Sequence, residues 1–316
     1  MKKRFALIGV AGYIAPRHLQ AIKALGHELV VAMDVSDSVG MMDSHFPHAE
    51  FFTEFEAFEA FLEDERLAGR SVDYLAICSP NYLQLPHMKF GLRRGMDVIC
   101  EKPLVLQEKD LDALLEYEEA YGGKVNSILQ LRLHPAIQRL REKVESAPAD
   151  HVFDVDLTYL TSRGRWYLRS WKGLDQKAGG IATNIGVHFF DMLGYIFGSL
   201  LEHEAHYRDE RTAAGSLRFE RAQVTWFLSI DASYLPENAV HGEKSTFRSI
   251  TVDGEELEFS RGFTDLHTDG YERILAGEGF GVEANRQAIA IVEALRDAPI
   301  EEAPTAPHPY LAKVKP

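Results

Sequence analysis

Cysteine is scarce in this sequence, since the 316 residues include only Cys78 and Cys100. Two cysteines cannot build the disulfide framework of a small secreted protein, and we expect a reducing, cytoplasmic location. No apolar run approaches the roughly 18 residues that a membrane-spanning helix needs. The apolar stretch after Arg4 is too short for a signal peptide and runs into a glycine turn, so it predicts a first strand.

Positive charge is scarce as well, because 34 Lys and Arg residues stand against 48 Asp and Glu residues and leave a net charge of −14. A net acidic surface argues against nucleic acids and anionic membranes as partners. It does not exclude an anionic small molecule, since a few cationic side chains and helix N-termini can form a locally positive pocket. The sequence has no repeats or low-complexity linker, and its length predicts about two globular domains.

The first third of the chain alternates short apolar runs with helical patterns. This alternation predicts an α/β domain with a doubly wound parallel sheet, which we place at residues 1–125. The predicted strands are Phe5–Ile8, Glu28–Met33, Val72–Cys78 and Asp97–Cys100, and the predicted helices are Pro16–Leu25, Glu54–Glu65, Leu85–Arg94 and Glu108–Tyr121.

The pattern changes after about residue 126. Residues 126–316 predict an α+β domain with a largely antiparallel sheet and helices on one side. Asp253-Gly254, between Ile250–Val252 and Glu256–Phe259, is a hairpin signal. Helices are predicted at Pro135–Val144 and Gly281–Arg296, strands at Val152–Tyr159, Glu204–Tyr207, Leu217–Glu220, Ala222–Ile230 and Ser249–Val252, and an extended tail from Ala303.

Residues 9–15, GVAGYIA, follow the first strand and open the first helix, at the position of a dinucleotide-binding turn. Gly9 allows a tight turn, Gly12 lets the backbone approach a pyrophosphate, and Ala15 permits close helix–strand packing. The second glycine of the usual G-x-G-x-x-G pattern is Ala11 here, so a plain strand–turn–helix is the alternative. Asp34 ends the second strand, where a carboxylate binds ribose hydroxyls and repels a 2′-phosphate, which favours NAD over NADP.

Two further strand ends carry polar residues. Ser79-Pro80-Asn81 and Glu101-Lys102-Pro103 lie at the edge where open α/β sheets bind ligands. A lysine is most often a solvated surface residue, but its position between a strand end and a proline favours a catalytic role for Lys102.

A second polar cluster lies in residues 179–191, GGIATNIGVHFFD. Asn184 and His188 are four residues apart and share one face of a helix. A histidine can take a hydroxyl proton as hydride leaves, and a lysine can stabilise the developing alkoxide. We therefore expect His188 to be a base oriented by Asp191, with a core histidine bonded to Asp191 as the alternative. No His or Cys stands at ligand spacing from them, so no metal site is predicted.

The two clusters together resemble the Gfo/Idh/MocA oxidoreductase family, which has a Rossmann domain, an E-K-P motif and a G-G-x-x-x-D-x-G-x-H-x-x-D motif. The resemblance runs the length of the chain. It implies that residues 1–125 bind NAD and that residues 126–316 bind substrate and mediate oligomerisation, with a homotetramer expected. The family's Asp is Asn184 here, and the loss of one carboxylate suits a substrate that carries its own negative charge.

Segments 6–18, 73–82, 157–164, 182–188 and 262–268 resemble, more specifically, the WlbA/WbpB group of nucleotide-sugar dehydrogenases. This resemblance implies NAD-dependent oxidation of the C3 hydroxyl of UDP-N-acetyl-D-glucosaminuronic acid, a UDP-sugar acid, in the biosynthesis of bacterial surface polysaccharide such as O-antigen. Lys102 and His188 would be the catalytic pair. Some members reoxidise the cofactor with 2-oxoglutarate, which is therefore a further expected partner.

The diphosphate and carboxylate of such a substrate need cations, and arginine binds both groups bidentately. Arg163, in a Ser-Arg-Gly turn, is the strongest candidate, and Tyr159 and Phe263 can stack on uracil. The candidate substrate-binding residues are Lys102, Arg132, His134, Tyr159, Arg163, Asn184, His188 and His267. The candidate cofactor-binding residues are Gly9, Gly12, Tyr13, Ile14, Asp34, Ser79, Pro80, Asn81, Glu101, Lys102, Trp171 and Lys172.

Two other functions stay open at this point, namely a family relative that oxidises a free sugar or inositol and a non-catalytic NAD(H)-binding sensor. Asn184 and the region around Arg163 favour the nucleotide sugar over a free sugar. The presence of both Lys102 and His188 argues against a sensor, because a sensor does not need a proton-transfer pair.

Overall fold

The computed structural model of the chain describes residues 2–237, 246–257 and 266–314. These residues group into two compact units. The first unit contains residues 2–130 and 266–286, and the second contains residues 131–237, 246–257 and 287–314. Across the described part of the chain, no helix combines the length and the apolar character that crossing a membrane requires.

The first unit is built on a parallel sheet with the strand order β3-β2-β1-β4-β5-β6, which confirms the predicted doubly wound fold. The order reverses between β1 and β4, where such sheets bind ligands. The strands are β1 (Arg4–Ile8), β2 (Glu28–Met33), β3 (Glu50–Phe52), β4 (Tyr74–Ile77), β5 (Asp97–Cys100) and β6 (Val125–Ser127). The helices are α1 (Ala15–Ala24), α2 (Met42–His45), α3 (Phe55–Leu67), α4 (Asn81–Arg93) and α5 (Lys109–Tyr121).

Two strands of this sheet were not predicted from the sequence. β3 and β6 are three residues long, and so short a strand gives no measurable alternation. Helix α4 begins at Asn81, four residues before its predicted start. The reason is Pro86, which is typical of a first helical turn but lies here inside the helix.

A helix from the second half of the sequence completes the first unit. This helix, α10 (Leu266–Leu275), packs against α1. It places Tyr271 and Ile274 in the same apolar core as Leu19 and Ile22. The predicted division near residue 125 had assigned this segment to the second domain, because a return of the chain over so long a distance leaves no local signal.

The second unit is built on a mixed sheet with the strand order β12-β11-β7-β10-β9-β8. Among the described strands, β7 and β10 are parallel and the other neighbours are antiparallel, which confirms the predicted sheet type. The strands are β7 (Phe153–Thr161), β8 (Leu200–Arg208), β9 (Thr212–Phe219), β10 (Ala222–Ser229), β11 (Thr246–Val252) and β12 (Glu255–Glu256). The helices are α6 (Pro135–Ser146), α7 (Trp166–Arg169), α8 (Asp175–Ala178), α9 (Val187–Phe197) and α11 (Arg286–Asp297).

The predicted hairpin joins β11 to β12. Asp253 and Gly254 have φ values of 51° and 78°, and this left-handed pair is the tight-turn geometry that Asp-Gly favours. Glu258 and Phe259, which were predicted to continue the second strand, lie outside the described residues.

The proline-rich tail was predicted to be extended, and the structure differs there. It contains a 3₁₀ turn at Pro309–Lys313. Tyr310 and Leu311 of this turn pack against a small apolar cluster that includes Leu160 and Phe227, so burial of these side chains holds the tail on the sheet.

Candidate active site

The turn between β1 and α1 brings bare backbone to the carboxyl edge of the first sheet. Gly9 has a φ of 89°, and its N–H donates to the Met33 carbonyl at 2.8 Å. A Cβ on Gly9 would lie 2.6 Å from the carbonyl carbon of Cys78, so a side chain does not fit. A Cβ on Gly12 would likewise lie close to the backbone, 3.0 Å from the Gly9 carbonyl oxygen. The first turn of α1 contains no acidic residue, so its N-terminus keeps the positive end of the helix dipole for an anion.

Asp34 follows β2 and holds this turn in place. Its carboxylate accepts hydrogen bonds from the Ala11 N–H at 2.9 Å and from the Ser36 N–H at 3.0 Å. The carboxylate is therefore fixed beside the glycine turn, at the end of the second strand. Within the same turn, Tyr13 is 92% exposed and Ile14 is half-buried.

The end of β4 contributes a second polar loop. Ser79 and Asn81 are buried, and Asn81 begins helix α4 directly after Pro80. The Ser79 hydroxyl lies 2.9 Å from His87 Nδ1. Burial lowers the pKa of His87 to about 4, so this histidine is neutral near pH 7 and holds Ser79 through a hydrogen bond alone.

Glu101, at the end of β5, is bonded to two histidines. Its Oε1 is 3.1 Å from His18 Nε2 on α1 and 3.0 Å from His267 Nε2 on α10. His18 Nδ1 lies 2.7 Å from the Tyr271 hydroxyl, and all four side chains are buried. Burial alone would raise the pKa of Glu101, but hydrogen bonds from the two histidines hold that pKa well below its usual range. The carboxylate is therefore ionised.

This arrangement gives His267 a different partner from the expected one. The sequence predicted a substrate-binding residue, and the structure places its ring, 2% exposed, against Glu101 within the first unit. Lys102 follows Glu101 directly and is half-buried at the same sheet edge.

The polar segment at residues 179–191, in the second unit, contains a π-helical turn at Ala182–Gly186, and α9 continues from it. Such turns are uncommon and occur often at functional sites. The turn carries Asn184, whose side-chain amide donates to the Tyr167 hydroxyl. Tyr167 is buried, so this bond fixes the direction of the Asn184 amide.

His188 lies one turn further along the helix and is half-buried. Its ring centre is 4.4 Å from that of Phe189 and 6.1 Å from that of Tyr159 on β7. Arg248 on β11 is directly opposite Tyr159 in the sheet, and its guanidinium carbon is 5.4 Å from the Tyr159 ring centre. The imidazole is therefore set among aromatic side chains, with a cation on the neighbouring strand.

Asp191 was expected to orient His188, and the structure gives its carboxylate another partner. Both carboxylate oxygens accept from the Arg132 guanidinium, at 3.0 Å from Nε and 2.5 Å from Nη2. Arg132 also lies over the Tyr195 ring, 5.0 Å from its centre. A guanidinium fork matches a carboxylate better than a single imidazole N–H does, which explains the pairing. Arg132, predicted as a substrate ligand, is thus the partner of a buried acid.

Other predicted residues have local structural contacts. His134 is buried and caps α6, because its Nδ1 accepts from the Ala136 N–H at 3.1 Å. Arg163 is half-buried and donates to the carbonyl of the preceding residue at 3.3 Å. The Lys172 ammonium lies 3.7 Å from the Trp171 ring centre, a cation–π contact. Phe263 lies outside the described residues.

Several residues that surround Glu101 and the Asn184–His188 segment were not predicted from the sequence. His18 and Tyr271 lie on helices whose apolar faces predict only core packing, so nothing local linked them to Glu101. Tyr167 and Arg248 gave no signal either, since their partners are brought to them by the fold. The available hint was His18 itself, a polar residue on the buried face of an amphipathic helix.

Residues 3–128 match the family model described as "Oxidoreductase family, NAD-binding Rossmann fold" and residues 151–308 match its "C-terminal alpha/beta domain" model. The chain belongs to the Gfo/Idh/MocA oxidoreductase family. The two Gfo/Idh/MocA models match the parallel-sheet and mixed-sheet parts of the chain in that order, which confirms the predicted family.

Solved structures of related proteins include the WlbA (WbpB) dehydrogenase from Thermus thermophilus in complex with NAD and α-ketoglutarate. It is 51% identical to this Gfo/Idh/MocA chain, with a TM-score of 0.93 over 98% of this chain and 99% of that one. The same dehydrogenase in complex with NAD and UDP-GlcNAcA is 50% identical, with the same TM-score and coverage.

The curated relatives are more distant. D-xylose 1-dehydrogenase (NADP(+)) 2 of Haloferax volcanii is 28% identical over 45% of this chain and 42% of its own length. The matched part of the chain spans about half the length of this and several other curated relatives.

Proposed function

We propose that this chain is an NAD-dependent dehydrogenase that oxidises the C3 hydroxyl of UDP-N-acetyl-D-glucosaminuronic acid (UDP-GlcNAcA) to the 3-keto sugar, for bacterial surface-polysaccharide synthesis. The observation that carries the proposal is the 50% identity, over 98% of the chain, to a dehydrogenase solved with NAD and UDP-GlcNAcA. The similarity covers both units. It therefore includes the residues proposed to bind the cofactor and the residue proposed to accept the proton.

The first unit fits NAD. The bare backbone at Gly9 and Gly12 would hold the pyrophosphate at the N-terminus of α1, and Asp34 would hold ribose hydroxyls at the end of β2. NAD, when bound, supplies the acceptor for hydride. The negative charge of Asp34 disfavours a cofactor that carries a 2′-phosphate at the same ribose.

Replacing Asp34 with arginine is expected to weaken NAD binding at least about tenfold and to improve NADP binding, because a charged hydrogen bond is lost and a phosphate partner is gained. Isothermal titration with NAD and NADP measures both affinities. The matched control is Asp37→Arg, the same charge change on an exposed residue of the same loop. An unchanged ratio of the two affinities in Asp34→Arg would remove Asp34 from the ribose site.

The second unit supplies the proton acceptor. His188 would take the proton of the sugar hydroxyl while hydride leaves the same carbon, so the C–O single bond becomes a carbonyl. Lys102 would donate a hydrogen bond to that oxygen and stabilise its developing negative charge. Asn184, directed by Tyr167, would bind the sugar without adding a carboxylate beside an acidic substrate.

The test is a mass spectrum of UDP-GlcNAcA after incubation with the protein, NAD and 2-oxoglutarate. Loss of two hydrogen atoms from the sugar is the expected result. With a substrate deuterated at C3 and no 2-oxoglutarate, the deuterium should appear in the reduced cofactor. If NAD binds but the UDP-GlcNAcA mass does not change, the substrate proposal is wrong, and UDP-GlcNAc and myo-inositol incubated in parallel identify an alternative substrate whose sugar carries no carboxylate.

Two further elements of the proposal are tested in the same preparation. Because a relative at 51% identity was solved with NAD and α-ketoglutarate, we propose 2-oxoglutarate as the oxidant that regenerates NAD. When no free NAD is added, turnover beyond one sugar per bound cofactor should then require 2-oxoglutarate. We also propose a homotetramer, for which light scattering should give four times the 35.6 kDa chain mass.

A further inference from the structure

The His18–Glu101–His267 cluster, defined by these three side chains, is buried and carries a definite charge. Burial raises the pKa of Tyr271, so its hydroxyl keeps its proton and can donate to His18 Nδ1. His18 then has its proton on Nε2 and donates to Glu101 Oε1 at 3.1 Å. Burial also lowers the pKa of His18, which agrees with a neutral ring.

The surroundings of the His267 ring accommodate one N–H. Its Nε2 lies 3.0 Å from Glu101 Oε1, the position of a donated hydrogen bond. Its Nδ1 is buried and has no hydrogen-bond partner within residues 2–237, 246–257 and 266–314. A protonated ring would therefore bury an unsatisfied N–H, which is costly. With two rings that each donate one N–H to a single ionised carboxylate, the cluster carries one net negative charge.

This charge lies at the carboxyl end of β5, in the half of the sheet that would hold the nicotinamide. A doubly wound sheet of this order is built from two mononucleotide-binding halves, and Asp34, directly after β2, lies in the half that would hold the adenosine ribose. β4, β5 and β6 form the other half. The oxidised nicotinamide ring is a cation, and it becomes neutral when it accepts hydride.

We propose that His18 and His267 hold Glu101 as a fixed anion that makes the protein bind oxidised NAD more tightly, relative to NADH, than it would without that charge. The inference rests on the proposed NAD function and adds a role for residues outside the motif positions. A buried anion attracts the cationic ring and has no such attraction for the reduced one, because the interior screens charge weakly. The two histidines are positioning residues, since they act through Glu101.

The direct test is the ratio of the dissociation constants of NAD and NADH, measured by titration without any substrate. Glu101→Gln removes the charge and keeps the shape, and we expect the ratio Kd(NAD)/Kd(NADH) to rise about tenfold. Glu65→Gln is the matched control, because Glu65 is also an ionised buried carboxylate of the first unit but pairs with Arg4 and Arg70. Its ratio should equal that of the unmodified protein.

The role of the histidines is tested by comparing a variant that removes the hydrogen-bond donor with one that keeps a donor. His267→Leu removes one donor, so Glu101 should take up a proton more readily and the ratio should rise as the pH is lowered. His267→Gln offers an amide N–H at a similar reach and should keep the ratio closer to normal. The groups that face Glu101 and must be considered in such a titration are His18, His267, Tyr271, Cys78 and Cys100.

The unmodified protein provides a test that does not depend on the folding of any variant. Since the pKa of Glu101 is held well below its usual range, the ratio should stay constant between about pH 5.5 and pH 8. A ratio that changes over this range, or one that Glu101→Gln leaves unaltered, would overturn the inference. If neither NAD nor NADH binds the unmodified protein, the proposed function itself fails.

The two histidine nitrogens and the carboxylate oxygen lie within 4.8 Å of one another, which also suits a metal ion. Elemental analysis of the purified protein distinguishes the two arrangements. A stoichiometric metal that is lost in His267→Leu would overturn the hydrogen-bonded anion, whereas metal-free protein with the expected ratio supports it.

Discussion

Replacing His188 with alanine is expected to lower kcat by roughly 10²–10⁴-fold, the usual contribution of a positioned general base. NAD affinity should stay unchanged, because His188 and the glycine turn belong to different units of the chain. The KM for UDP-GlcNAcA should change little, since the imidazole acts mainly on the proton that moves in the transition state. Steady-state kinetics with the unmodified protein and the variant measure each of these quantities.

Two controls separate the loss of a base from damage to the fold. His151→Ala removes a histidine of the same unit that is exposed and bonded to Asp253, and its kcat should equal that of the unmodified protein. Added imidazole should partly restore the activity of His188→Ala, because a small base can occupy the space left by the side chain. An unchanged kcat in His188→Ala would remove the base from the mechanism, whatever the substrate.

The architecture was predictable because its signals are local. Alternating apolar runs and amphipathic helices indicate the parallel sheet, and a glycine turn after the first strand indicates where a dinucleotide would lie. Asp34 was predictable for the same reason, since a strand end can be found from the sequence alone. Its bond to the Ala11 N–H was not, because it depends on how the second strand pairs with the first.

The surroundings of the candidate site residues depend on distant parts of the chain. His18, Glu101 and His267 meet only because α10 returns to the first unit, and no periodicity predicts that return. The spacing of His188 and Asp191 predicted an orienting pair, whereas an arginine from a much earlier segment pairs with the carboxylate. The π-helical turn at Ala182–Gly186 also alters the helix that the spacing argument assumed.

Loss of the Arg132–Asp191 ion pair should lower the free energy of unfolding. Arg132→Met is expected to reduce the free energy of unfolding by about 3–5 kcal/mol, because it leaves a buried carboxylate without its partner. The Asp191 side chain is 2% exposed and that of Arg132 14%, so water cannot replace the lost bonds. Urea denaturation monitored by circular dichroism measures the change. The exposed pair Arg218–Glu202 in the same unit provides the control, and Arg218→Met should cost at most about 1 kcal/mol.

The sign of the pH dependence distinguishes an unpaired charge from a simple packing defect. Burial raises the pKa of Asp191 even beside Arg132, and removing the guanidinium takes away the opposing influence. The folded variant then binds a proton more tightly than the unfolded chain, so its stability deficit should shrink as the pH is lowered and grow as the pH rises through the folded pKa. The double variant Arg132→Met, Asp191→Asn should recover most of the loss at pH 7. A deficit that is equal at all pH values, and equal in the double variant, would mean that Arg132 stabilises the unit by packing on Tyr195 rather than by its charge.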